Sequence, residues 1–158
     1  MSSINKTNAA RLLDKQQITY ALIPYVVDET DLSAIAVAAK LGQNIEQVFK
    51  TLVLRGDKTG VFVCVIPGGE EVDLKKAAKA SGNKNCAMVP MKEILELTGY
   101  IRGGCSPLGM KKKYPTYIDE SCTLYDHIFI SAGVRGLQIE IAPNDLINAA
   151  ECQVGDLV

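Results

Sequence analysis

A single histidine among 158 residues leaves little room for catalysis by a histidine-activated nucleophile. That residue, His127, enters an extended stretch in which a histidine more often packs or faces solvent than reacts, so no serine or cysteine driven by imidazole is expected. The five cysteines, at 64, 86, 105, 122 and 152, form no Cys-x-x-Cys pair, so no zinc site, redox motif or other cofactor is expected. Their odd number fits a reducing cytoplasm. Charge bias is lacking too: 17 basic against 18 acidic residues give a net charge of -1, without the basic excess of an autonomous nucleic-acid binder. No run of about 18 apolar residues is present, and the opening Met-Ser-Ser-Ile-Asn-Lys has no continuous apolar core. A soluble cytoplasmic protein with no membrane partner is expected. Without repeats, low-complexity tracts or a linker, residues 1–158 read as one domain.

What is present is a glycine-rich stretch at 99–109, Gly-Tyr-Ile-Arg-Gly-Gly-Cys-Ser-Pro-Leu-Gly, whose four glycines let the backbone take positive φ and approach a ligand closely. Around it the pattern alternates short helices and strands. Thr7 caps a helix over 8–17 with Ala9, Leu12 and Leu13 on one side, and 18–27 reads as an edge strand ended by Pro24. Asp31 is placed as the cap of a second helix whose apolar face is Leu32, Ile35, Ala36 and Ala39, stopped by Gly42. Asn44 and Gln47 stand at capping-box spacing over 44–49. Residues 50–55 and 61–66 form a hairpin or two adjacent strands, the second apolar on both faces as a central strand is.

Asp73 caps a helix ending at Gly82, 86–89 is a short strand, and Pro90 opens a helix that Gly99 terminates. The glycine loop therefore follows a helix C-terminus. Phosphate loops have the opposite polarity, with glycines feeding a helix N-terminus, and the Gly-Lys-Ser/Thr ending is missing, so nucleotide hydrolysis is set aside. Strands follow at 114–118 and 127–131, then a glycine turn at 132–136. Leu137, Ile139 and Ile141 next alternate with Gln138 and Glu140, before a helix begun by Pro143 and a terminal strand after Cys152. The fold class is α+β, a mixed, barrel-like sheet surrounded by short helices.

Lys50 is the unusual side chain, since period-two spacing puts it on the face of Leu52 and Leu54. It is either a strand-end lysine snorkelling to water or a cation at the mouth of a pocket that holds a phosphate or orients a carbonyl. Cys105 reads as a small apolar loop residue, because activation of its thiol would need a neighbouring base or cation and only Arg102 is near. The lysines at 75, 76, 79 and 111–113 read as a solvated surface, or as a track for RNA phosphates if they cluster in space.

The segments Phe49-Lys50-Thr51-Leu52, Val72-Asp73-Leu74-Lys75-Lys76-Ala77-Ala78-Lys79, the 99–109 loop, Arg135-Gly136-Leu137 and Glu140-Ile141-Ala142-Pro143 together resemble the YbaK/EbsC aminoacyl-tRNA deacylases. These are relatives of the editing domain inserted in bacterial prolyl-tRNA synthetases. The resemblance spans nearly the whole chain in order. It implies a cytoplasmic trans-editing enzyme that hydrolyses cysteine mischarged on tRNA(Pro), with prolyl-tRNA synthetase as a partner and no cofactor or metal. It also implies that no protein nucleophile acts: the cysteinyl thiol attacks its own carbonyl and gives a cyclic thiolactone. Lys50 matches the family's essential lysine, expected at the terminal phosphate or ribose, and Gly103 and Gly104 match glycines beside the reacting carbonyl. Tyr25, Thr51, Ser106 and Ser131 match substrate-binding positions. Departures fall within 26–38, at Cys105 where relatives usually carry isoleucine, and at Ala132 and Val134. Two other functions stay open at this point: deacylation of another small amino acid from tRNA, or a non-catalytic module that binds RNA or a synthetase.

Overall fold

The computed structural model describes residues 6–158; the N-terminal reading over residues 1–5 lies outside them. Thr7 accepts a hydrogen bond from the Ala10 N–H and starts α1 (Asn8–Lys15), which buries Ala9, Ala10 and Leu13. Strand β1 (Tyr20–Pro24) follows and stands at the edge of a three-stranded sheet. Helix α2 (Ala34–Leu41) is capped by Ser33 rather than Asp31, whose carboxylate instead accepts from the Ser33 N–H two residues on. With the helix starting there, Val37 and Ala38 are buried, while Ile35 is 61% exposed. The expected apolar face was therefore rotated.

The short helical turn expected over 44–49 is a 3-10 turn at Ile45–Gln47, but no capping box forms. Gln47 donates its amide to the His127 carbonyl instead. Strands β2 (Phe49–Gly56) and β3 (Gly60–Pro67) make the expected antiparallel hairpin. Then come α3 (Leu74–Ser81, capped by Asp73), β4 (Cys86–Met88), a 3-10 turn at Met91–Glu93 and α4 (Ile94–Thr98), closed by Gly99 at φ +82. The remaining elements are β5 (Thr116–Asp119), β6 (Ile128–Ser131), β7 (Leu137–Ile141), α5 (Pro143–Ala150) and β8 (Cys152–Gly155).

The strands form two sheets, ordered β1-β7-β6 and β4-β2-β3-β5-β8, and no closed barrel. The first is antiparallel; the second is mixed, with β5 parallel to both β3 and β8. They meet at one seam, a parallel bridge between Val48 and Phe129. The two-faced apolar pattern of β3 is accounted for by alternation. Val63 and Val65 enter the main core with Ile118, Ile130, Ile139 and Leu146, whereas Phe62, Cys64 and Ile66 pack the opposite face with Leu54, Ala77 and Leu157. Each such buried aliphatic or aromatic side chain contributes about 1.5–3 kcal/mol. A third cluster, of Val37, Ala38, Val48 and Phe129, pins α2 to the seam. That fixes the helix beside the first residues of β2, where a cleft opens.

Candidate active site

The cleft has a volume of about 790 Å³ and lies along the seam. Its floor is the start of β2, one side is the 30–35 segment entering α2, and the other is the 102–105 part of the glycine loop. Ser131 at the end of β6 and Gln138 on β7 close the far wall. Gly68 makes the near corner possible: a Cβ there would collide with the Ala34 side chain and come within 2.8 Å of the Val48 carbonyl, so α2 docks this tightly only against glycine.

Lys50 lines this cleft, half-buried, and its ammonium makes no ion pair among the described residues. Burial pulls its pKa below the ordinary lysine value, while the carboxylates of Glu71 and Glu70 pull it back up. Those two carboxylates act on it from a distance, without an ion-pair contact. Thr51, Gly103 and Ser131 also line the cleft.

The glycine pair divides its roles. Gly103 is exposed at φ +81, and an added Cβ would touch Arg135 and Leu32 at 3.4 and 3.5 Å. Gly104 is buried: its N–H donates to the Ile101 carbonyl at 3.0 Å, and a Cβ would stand 3.3 Å from the Val134 backbone. Tyr25 and Ser106 do not line the cleft. Tyr25 stands behind the 31–32 segment, its N–H donating to the Gly136 carbonyl at 3.0 Å, and Ser106 is fully buried with its hydroxyl accepting from the Leu108 N–H at 3.3 Å.

Arg135, in the second glycine turn, ties the walls together. Its Nε donates to the Arg102 carbonyl at 2.8 Å and its guanidinium pairs with Glu29 at 2.8 Å, so three separate segments are held in register. Cys105 lines the cleft, but burial pushes its thiol up to about 11, with Thr98 offsetting only part of that. It is a thiol and not a thiolate at neutral pH, and so a poor nucleophile. His127 is mostly exposed, 3.9 Å from the Glu140 carboxylate, and away from the cleft. Among the described residues no cluster of three or more histidine, cysteine or acidic side chains is arranged to hold a metal.

Sequence reasoning missed Gln138, placed on a polar face by its alternation with Leu137 and Ile139. It is only 5% exposed, and its buried side-chain oxygen accepts no hydrogen bond within the described protein. The lysines at 75, 76, 79 and 111–113 do not line the cleft; Lys76 pairs with Asp156, Lys113 with Glu151, and Lys112 lies 5.8 Å from the Tyr114 ring centre.

Residues 28–149 match the family described as the aminoacyl-tRNA editing domain. EbsC of Enterococcus faecalis (strain ATCC 700802 / V583), put forward as a Cys-tRNA(Pro)/Cys-tRNA(Cys) deacylase, is 48% identical over 152 residues, which is 96% of this chain and 93% of that protein. The uncharacterized YwhH of Bacillus subtilis (strain 168) is 31% identical over 119 residues, 75% of each. A crystal structure of a protein put forward as a trans-editing enzyme for prolyl-tRNA synthetase superposes with a TM-score of 0.81 at 25% identity, covering 97% of this chain and 98% of the other. The hypothetical protein APE2540 shares the fold at a TM-score of 0.87 and 22% identity, over 96% and 99% of the two chains.

Proposed function

This chain belongs to the aminoacyl-tRNA editing domain family, and from that premise we propose that it is a trans-acting deacylase that removes cysteine mischarged on tRNA(Pro). The observation that carries the reading is the pairing, in one cleft, of an unpaired half-buried lysine with the absence of any activated nucleophile among the described residues. A site so built suits a substrate that supplies its own nucleophile, and cysteine does. Its thiol sulfur attacks the ester carbonyl, the carbon–oxygen bond to the ribose breaks, and the thiol proton passes to the departing ribose oxygen. The products are free tRNA and a cyclic thiolactone that water then opens. Selection by size alone separates small side chains by only a few kcal/mol, so a synthetase for proline gains from a second, chemically selective site.

Lys50 holds the terminal phosphate or ribose and so fixes the ester against the loop. Gly103 provides a wall with no side chain beside the reacting carbonyl, and Gly104 packs the turn that presents it. Thr51 and Ser131 contact the substrate from the floor and far wall; Tyr25 and Ser106 support those walls from behind. The cleft carries Lys50 and Arg102 against Asp31, Glu70 and Glu71, too little positive charge to grip tRNA tightly. Prolyl-tRNA synthetase therefore supplies tRNA selection as a partner. No helix among the described residues is long and apolar enough to cross a membrane, and the site of action is the cytoplasm, with residues 1–158 working as one domain.

The test is deacylation of Cys-tRNA(Pro) by the purified chain, with and without the synthetase. Release of cysteine that Lys50→Ala abolishes is expected. An inactive wild type under both conditions would overturn the proposal.

A further inference from the structure

Gln138 sits on β7, the middle strand of its sheet, and its neighbours Leu137, Ile139 and Ile141 are buried in the core. A buried acceptor without a donor costs roughly 1–3 kcal/mol, and of the two such side-chain oxygens among the described residues, Ser121 Oγ and Gln138 Oε1, only the second belongs to a residue of this cleft. The residue lines the cleft, and a half-turn of its terminal amide would bring the oxygen from its buried position to the cleft face. Its position there follows from strand register. Lys50 and Ser131 each lie two residues beyond the Val48–Phe129 bridge, and Ser131 is paired directly with Gln138 across β6 and β7. Lys50, Ser131 and Gln138 therefore form a row across three strands, with roughly 10 Å between the first and last at ordinary strand spacing.

We propose that Gln138 receives the protonated α-amine of the aminoacyl group, making this site selective for an acyl group with a free amine. The assignment rests on the deacylase reading above. If Lys50 holds the nucleotide end, the acyl group extends along the row away from it, which is also the direction that keeps two cations apart. The α-ammonium is the strongest hydrogen-bond donor next to the scissile carbonyl, and a charged donor gives the larger gain on meeting an orphan acceptor. Asp31, Glu70 and Glu71 line the same cleft and favour a cation there. Ser131, whose hydroxyl already accepts from the Gly133 N–H at 3.1 Å, leaves Gln138 as the unused acceptor of the pair. An amide oxygen accepts the ammonium without taking its proton, so the amine stays charged while the thiol reacts.

The test compares Cys-tRNA(Pro) with 3-mercaptopropionyl-tRNA(Pro), which keeps the thiol and lacks only the amine. Wild type is expected to prefer the cysteinyl ester by roughly tenfold to a hundredfold in kcat/KM, the range of one charge-assisted hydrogen bond. Gln138→Met is expected to lose that preference, the ratio falling to about one, while its melting temperature stays at or above wild type because the orphan acceptor is gone. Gln138→Glu is expected to restore the preference and serves as the second variant should the first not fold. A wild type that is active but indifferent to the amine overturns the assignment alone, as does a Gln138→Met protein that keeps the preference. A wild type inactive on every charged tRNA overturns the deacylase reading, and the assignment falls with it.

Discussion

Replacing Lys50 with methionine should make the protein more stable and useless as an enzyme. Methionine keeps the unbranched length and removes the charge. In the folded state the ammonium is half-buried on the strand face of Leu52 and Leu54, with no ion pair among the described residues, and burial holds its pKa below the ordinary 10.5. The favourable part that is lost is the pull of Glu70 and Glu71, both exposed and worth a few tenths of a kcal/mol after solvent screening. The part gained is relief from desolvation plus apolar contact equal to about one methylene, ~0.8 kcal/mol. A net stabilisation of about 1 kcal/mol follows, or about 2–4 °C in melting temperature for a chain of this length. The size of the gain depends on pH. Because the folded-state pKa is depressed, the folded protein releases this proton first. Wild-type stability therefore rises between that pKa and 10.5, and the advantage of Lys50→Met narrows over the same window. Thermal melts of both proteins at neutral and alkaline pH, run beside the deacylation assay, provide the check. A variant that melts several degrees lower, or one that still hydrolyses its substrate, would refute the reasoning.

Two other perturbations probe the frame around the site. Burial raises all five thiols above their ordinary 9.0, Cys64 and Cys152 to about 12, Cys105 and Cys122 to about 11, and Cys86 by less. The unfolded chain therefore ionises first, and stability, fully present below about pH 9, is lost steeply as pH rises toward 11–12. Urea titrations across that range should show it, with thiol reagents labelling slowly at pH 8 until urea is added. Asn83 locks the β2–β3 turn, accepting from the Lys58 and Thr59 N–H groups at 2.9 Å and donating to Thr59 and Ser81 at 2.8 Å. Asn83→Ala should cost about 2–4 kcal/mol in denaturant titrations without changing the turnover of the folded fraction, because Asn83 does not line the cleft.

Much of this was legible in the chain because local chemistry decided it. The αL glycines ended helices where expected, and the two-faced apolar run of β3 could only be a central strand. Lys50 announced itself by standing on an apolar face. What sequence hid depends on packing. The face of α2 was misplaced because Asp31 and Ser33 are both good caps, two residues apart, and only docking on Val48 and Phe129 chooses between them. Gln138 looked solvent-facing because alternation assigns one face of a strand to water, whereas β7 lies between β1 and β6 at the back of the cleft, where Gln138 is buried. The barrel-like arrangement stays open because its two sheets meet through one bridge rather than a continuous ladder. Likewise, the separate roles of Gly103 and Gly104 follow from the Ile101–Gly104 hydrogen bond, which no sequence pattern displays.

The central claim is that the substrate's thiol, and no group of the protein, attacks the ester. The most direct measurement compares hydrolysis of Cys-tRNA(Pro) with that of 2-aminobutyryl-tRNA(Pro), which replaces the thiol by a methyl group of similar size. Rapid release of cysteine with the 2-aminobutyryl ester left intact is the predicted result. Comparable rates for the two would mean that water or a group of the protein attacks the ester in place of the thiol, and would contradict the account.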